Sequence, residues 1–289
     1  VTGVQTCALP IWVLRRSLGT SIRAKKALGQ HFLRDENILR KIASVAELHP
    51  DELVLEVGPG TGQLTKNLLS AGCRVTAVEM DGDMIRQLQS RFPVALDNKQ
   101  LTLIQGDVLR LPLPVYSTCV ANLPYYLSSD FLQKLILSGR FSCCYTLLVQ
   151  SEFAEKVLAS CCHEATFLSV FVQSFFEVKR CFRVSRSCFV PPPHVESTVL
   201  RLVPNPSTPE ACKLNPDKYR LFLRTCFSSK NQVLSKVLGR KGVAWGGGYG
   251  VDGDCCGGYV GDGDCCGGYG VDGDCCGGYG VDGDCCGGY

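Results

Sequence analysis

Nothing in the 289-residue chain approaches the run of about 18 apolar residues that a membrane-spanning helix needs, so a transmembrane reading is excluded. No Gly-Lys-Ser/Thr follows its glycine loop, which rules out a P-loop. The loop reads Gly-x-Gly-x-Gly rather than the Gly-x-Gly-x-x-Gly of dinucleotide sites. His194 has no metal-ligand spacing with any other His or Cys, and no metal is expected. The 19 cysteines lack the spacing of a disulfide framework: eight belong to a tail repeat and the other eleven are scattered. Several, such as Cys73, Cys119 and Cys226, fall among strand or helix residues, where a free thiol behaves as a small hydrophobe. They are read as reduced core residues of a cytoplasmic protein.

What is present can bury a sizeable core, since 45% of the residues are hydrophobic. The net charge is +3, but the tail repeat carries eight aspartates and no base, so the remainder stands near +11. A basic body points to a polyanionic partner such as nucleic acid. Both ends look foreign to the fold. Residues 1–12 lack an initiator Met and a basic leader, fail as a secretory signal, and resemble adapter sequence. Residues 246–289 repeat a ten-residue Gly/Asp/Cys unit and are expected to be disordered. A soft-metal role for that tail is the minor alternative, because adjacent cysteines lack the usual two-residue ligand gap.

Between the ends, apolar runs alternate with amphipathic patterns, which predicts strand-helix-strand units and a parallel sheet. Strands are expected at 53–57, 74–79, 101–105, 117–122 and 144–150, with helices between them. Residues 166–175 fit either a helix or a strand. Two last strands, 176–184 and 197–203, flank the Pro-rich 188–196, expected to be a rigid loop that cannot itself be sheet. A Pro-containing linker at 204–214 leads to two helices, 216–227 and 231–239. The domains are therefore 13–203, and a partial helical unit at 204–245.

The stretch Asn122-Leu123-Pro124-Tyr125 carries the chemistry. An exocyclic aromatic amine is a poor nucleophile because its lone pair is delocalised into the ring. If the Asn122 carboxamide oxygen and the Leu123 carbonyl each accept one of its hydrogens, the nitrogen moves toward a tetrahedral shape and the lone pair is freed. Tyr125, behind Pro124, can stack on the base. Gly58 and Gly60 open a turn between the first strand and its helix, where backbone can approach a ligand closely. Pro59 removes a donor that a pyrophosphate would want, so a nucleoside without phosphates, such as S-adenosylmethionine, fits better. Glu79 ends the second strand, where a ribose-binding carboxylate belongs. Asp107, after the third strand, can accept from an adenine amino group. Each residue alone also fits an ordinary strand end; together they share the edge where open α/β sheets bind ligands. His31, in a basic lead-in, is read as a polar contact rather than a base. Phe189, on the proline-stiffened loop, can face Tyr125 across a flipped adenine.

"GQHFL", "LEVGPGTGQLT", "VEMDGDM", "GDVL", "ANLPYYLSS" and "FVPPPHVES", in this order, resemble the ribosomal RNA adenine N6-dimethyltransferases, chiefly the bacterial small-subunit type, over residues 20 to 242. The resemblance implies a Rossmann-like methyltransferase sheet, mostly parallel with an antiparallel last strand, and a small, truncated helical C-terminal domain. It implies S-adenosylmethionine as cofactor, contacted by His31, Leu33, Gly58, Glu79, Asp107 and Asn122. Asn122, Leu123 and Tyr125 would hold the target, with Phe189 as second stacking face. His31 stands where the family often has Asn.

The substrate implied is two adjacent adenosines near the 3′ end of small-subunit RNA, in a pre-30S particle, modified by a monomeric enzyme. Lys25, Lys26, Lys179, Arg180, Arg183, Arg224, Lys230 and Lys236 are the expected phosphate contacts. Two alternatives stay open: a large-subunit methyltransferase of the resistance type, which shares these motifs, and a non-catalytic RNA-binding or assembly factor of the same fold.

Overall fold

A computed structural model of the chain describes residues 31–160, 164–229, 232 and 234–240. Residues 1–12 and 246–289, read as foreign to the fold, lie outside the described residues. In chain order the elements begin with β1 (Phe32–Leu33), α1 (Glu36–Val45), β2 (Leu53–Val57), α2 (Gln63–Ser70), β3 (Arg74–Glu79), α3 (Gly82–Arg91), α4 (Pro93–Asp97) and β4 (Leu101–Gln105). There follow β5 (Thr118–Asn122), α5 (Ser128–Leu137), β6 (Cys144–Gln150), α6 (Ser151–Leu158), α7 (Phe167–Gln173), β7 (Phe176–Val184), β8 (Phe189–Val190) and β9 (Ser197–Pro204). The helices α8 (Glu210–Leu214), α9 (Pro216–Cys226) and α10 (Leu234–Arg240) close the described chain.

Seven strands form one sheet in the order β4-β3-β2-β5-β6-β9-β7. Strands β2 to β6 pair in parallel, and β9 runs antiparallel to both its neighbours. Central strands of such a sheet are covered on both faces and therefore read as continuous apolar runs. In β2, alternate side chains enter opposite layers: Leu55 and Val57 pack with Phe131, Phe171 and Leu223 on one face, and Val54 packs with Leu39, Ile42 and Leu68 on the other. Each such buried side chain contributes about 1.5–3 kcal/mol. Leu223 brings α9 into the main core, where α9 touches α5 and α7. The thiols of Cys73, Cys119 and Cys143 are buried and free.

Local signals account for the helix starts. The Asp35 carboxylate caps α1 by accepting from the Asn37 and Ile38 amides. The segment that fitted either helix or strand is a helix, because Thr166 and Ser169 form a reciprocal capping box that opens α7. Two expectations are corrected. The Pro-rich loop does contain sheet: Phe189 and Val190, ahead of the prolines and with their donors intact, pair antiparallel with Leu33 and Phe32. The linker at 204–214 contains the short helix α8, begun immediately after Pro209, whose missing amide costs nothing at a helix start. Among the described residues, no helix is long and apolar enough to cross a membrane.

Candidate active site

Strand order reverses between β2 and β5, and ligands of open α/β sheets bind outside the carboxyl ends of strands at such a point. Register carries the site residues there. Val57 pairs with Ala121 on one side and Val78 on the other, so Gly58, Glu79 and Asn122 emerge side by side. Glu79 pairs with Gln105, which places Asp107 just beyond the next strand end.

The glycine turn is tied to both neighbours. The Gly58 amide donates to the Val78 carbonyl at 2.9 Å. The Gly60 amide donates to Glu79 Oε2 at 3.1 Å, and the Asp81 amide to Oε1 at 2.9 Å. Burial pushes the Glu79 carboxyl above its ordinary value, although these amides pull it down. Gly58 and Gly60 have φ of 66° and 53°, a region other residues enter at a cost. A Cβ on Gly60 would stand 3.0 Å from the Phe32 ring. The turn is thus closely covered by β1, which β8 and the bond from the Arg34 amide to the Cys188 carbonyl (2.9 Å) hold in place.

Asn122 ends β5. Its carboxamide nitrogen donates to the His31 carbonyl at 3.4 Å, which commits that nitrogen to the protein. Leu123 is buried, its amide donating to the Leu148 carbonyl at 3.1 Å. The Tyr125 hydroxyl lies 3.2 Å from Ser197 Oγ on β9, and its ring is stacked on His31. Asp107 Oδ1 accepts from the Leu109 amide at 2.9 Å, shaping its turn.

A single cleft collects the expected residues. His31, Leu33, Gly58, Gly60, Glu79 and Asp107 line it, and so do Asn122, Leu123, Pro124, Tyr125 and Phe189. Phe189 reaches it from the core, with only 2% of its surface exposed. Several neighbours were missed. Phe32, Glu56 and Tyr126 line the cleft, and Ser197 holds Tyr125. A charged residue inside the apolar run "LVLEV" was a readable signal for Glu56, and the doubled tyrosine one for Tyr126. Nothing local marked Ser197, which comes from a distant strand.

The expected phosphate contacts scatter. Lys179, Arg180 and Arg183 are exposed on edge strand β7, where Arg180 and Arg183 both pair with Glu155. Arg224 bonds Gln133 Oε1 at 3.2 Å and covers the Phe167 ring. Lys236 is exposed on α10. Lys25, Lys26 and Lys230 lie outside the described residues. Among the described residues, no group of three or more His, Cys, Asp and Glu could hold a metal ion.

The sequence model of ribosomal RNA adenine dimethylases matches residues 21–245. A ribosomal RNA small subunit methyltransferase of Arabidopsis thaliana is 38% identical over 223 residues, 75% of this chain and 61% of that protein. Its mitochondrial counterpart is matched over 56% of its length, so the chain spans somewhat more than half of these two relatives. The ribosomal RNA small subunit methyltransferase A of Thermotoga maritima is 37% identical, with 75% of each chain covered. A crystal structure of a dimethyladenosine transferase from Plasmodium falciparum superposes with a TM-score of 0.65 at 34% identity, covering 74% of this chain and 76% of that one. The 23S rRNA methyltransferase ErmE follows with a TM-score of 0.59 at 28% identity, covering 73% and 84%. With its parallel sheet, its glycine turn and Asn-Leu-Pro-Tyr at one cleft, and this match over most of its length, the chain belongs to the ribosomal RNA adenine dimethylase family.

Proposed function

We propose that the protein transfers methyl groups from S-adenosylmethionine to N6 of two adjacent adenosines near the 3′ end of small-subunit ribosomal RNA, in ribosome biogenesis. One observation carries the reading: Asn122, Leu123 and Tyr125, the amine- and base-holding groups, line the same cleft as the glycine turn and the Glu79 carboxylate. The cleft suits the donor. A Cβ at Gly60 would fill space against Phe32, and two buried carboxyls, Glu56 and Glu79, face a ligand that bears cationic groups.

Glu79 takes the ribose hydroxyls, Asp107 the adenine amine, and Gly58, Gly60, His31 and Leu33 shape the remaining wall. When bound, the donor supplies an electrophilic methyl on a positively charged sulfur. Asn122 Oδ1 and the Leu123 carbonyl accept the two hydrogens of the target amine, turning its lone pair out of the ring. Tyr125 stacks on the base, while Phe189, buried in the core, backs the wall of the cleft and offers no free face for stacking. No strong base is required, because the amine proton becomes acidic once the nitrogen is methylated. Exposed cations, among them Lys179, Arg183 and Lys236, and the partial helical unit at 204–245 grip RNA phosphates. The substrate is a pre-30S particle met by a monomer in the cytoplasm.

The small-subunit relatives, at 37–38% identity, support this over the large-subunit alternative, represented by ErmE at 28%. Tritiated methyl transfer to unmethylated small subunits tests the reading. Incorporation is expected to vanish when the two adenosines are mutated. Incorporation into large-subunit RNA instead, or none into either, overturns it.

A further inference from the structure

The turn that carries Asp107 is wound on itself. The Asp107 carbonyl accepts from the Arg110 and Leu111 amides, both at 3.0 Å, and its Oδ1 accepts from the Leu109 amide at 2.9 Å. A helix-like turn of this kind leaves its later carbonyls in need of partners. Lys134, on α5, supplies them: its Nζ donates to the Val108 carbonyl at 2.7 Å, to the Leu109 carbonyl at 2.9 Å and to the Leu111 carbonyl. An ammonium has three donors, and these three bonds use them all. The placement is costly, because burial pulls the Lys134 ammonium below its ordinary value and the Asp107 carboxylate acts against that shift. Nor is α5 free to move. Phe131, Leu132, Leu135 and Ile136, on either side of the lysine, are at most 1% exposed and fix the helix in the core. A lysine serving only solubility would extend its ammonium into water.

Gly106, Asp107, Val108 and Leu109 form one wall of the cleft. The sheet fixes the start of this wall, since the Gly106 amide donates to the Glu79 carbonyl at 2.9 Å. Lys134 fixes the rest. The Asp107 carboxylate also meets Arg110 Nε at 3.4 Å, but that arginine side chain is 89% exposed, and an ion pair so open to water holds little by itself. We propose that Lys134 is a positioning residue: by clamping the 107–111 turn it aims Asp107 at the adenine amine of the methyl donor, and so sets the preference for adenine over a purine with oxygen in that place. This rests on the assignment of Asp107 to the donor's adenine. A carboxylate fixed opposite the amine accepts its hydrogen, whereas opposite a ring carbonyl it faces a second acceptor and both lose a partner. The discrimination lasts only while the carboxylate cannot turn away.

Titration calorimetry of the full chain with S-adenosylhomocysteine and with S-inosylhomocysteine, which carries oxygen in place of the amine, reads the preference directly. Wild type is expected to bind the adenosyl ligand about tenfold or more tightly. Lys134→Met, close in length but without the ammonium, is expected to weaken the adenosyl ligand about tenfold and the inosyl ligand less than about twofold, so that the preference nearly disappears. A merely structural loosening weakens both ligands alike; an unchanged ratio overturns the inference. Asp107→Ala should also lose the preference, and adding Lys134→Met to it should change nothing further, because the lysine acts through the carboxylate. Additive losses overturn the inference as well. Because Lys134→Met can fail to fold, hydrogen exchange of the free wild type supplies an independent readout. The Leu109, Arg110 and Leu111 amides should exchange about a hundredfold or more slowly than in an unstructured chain, and exchange at the unstructured rate sinks the clamp. Loss of preference in Asp107→Ala with its retention in Lys134→Met removes Lys134 while leaving the donor site standing. A preference that survives Asp107→Ala, or no binding of either ligand to wild type, overturns the donor-site reading and this inference with it.

Discussion

The His31 imidazole lies nearly parallel to the Tyr125 phenol, with ring centroids 5.9 Å apart and planes 25° from each other. Both rings are held from behind. His31 Nδ1 is 2.8 Å from the Pro191 carbonyl, and the Tyr125 hydroxyl 3.2 Å from Ser197 Oγ. The pair joins the entry segment, the end of β5 and the start of β9, so the base-stacking ring is oriented before any base arrives.

Tyr125→Ala is therefore expected to lower kcat/KM for RNA methylation by about 10- to 100-fold, the value of one aromatic–base stack. Donor affinity by calorimetry should change only a few-fold. Tyr125→Phe keeps the ring and should keep most of the activity. An equally large loss in the Phe variant would show that the hydroxyl bond to Ser197, not the stack, is what matters.

Gly60→Ala places a methyl in a left-handed backbone and against the Phe32 ring. The strain should cost about 1–3 kcal/mol in urea unfolding. Phe32→Leu in the same chain should recover part of it by vacating the contact, which a double-mutant cycle measures. Strict additivity of the two changes would contradict the close approach.

Glu79→Ala leaves the Gly60 and Asp81 amides without their carboxylate acceptor. Each unpaired buried group costs about 1–3 kcal/mol, so both stability and donor affinity should fall, the latter by tenfold or more. Glu79→Gln, which retains one acceptor oxygen, should fall between. Unchanged donor binding in both would remove Glu79 from the site.

The free protein should lose stability as pH rises from about 5 to 8. Glu56 is raised from an ordinary 4.5 to about 8, so within that window the folded state holds a proton that the unfolded chain has released. Stability is fully present below the lower value and is lost as pH climbs to the upper one, at roughly 1.4 kcal/mol per pH unit. Glu79, shifted in the same direction, adds to the slope. Glu56→Gln should flatten it in unfolding experiments at pH 5.5, 7 and 8; a slope identical to wild type would mean that Glu56 is ionised throughout.

Much of this molecule was legible in its sequence because the relevant physics is local. Strands such as Leu53–Val57 are short apolar runs closed by glycine, and their helices carry a 3.6-residue apolar stripe. A chain that alternates the two has few ways to bury both faces other than a parallel sheet. The same alternation sets each loop at a strand's carboxyl end, so Gly58, Glu79, Asp107 and Asn122 could be named together. What the tertiary structure alone decided depends on residues far apart in the chain. Phe189 and Val190 became a strand only because Phe32 and Leu33 offered free backbone groups. Ser197 acquired its role when β9 paired antiparallel with β6 and reached Tyr125. The state of Glu56 followed from burial in the fold, since a carboxyl's proton affinity is set by the water and partners it loses, and no neighbour in sequence records that loss.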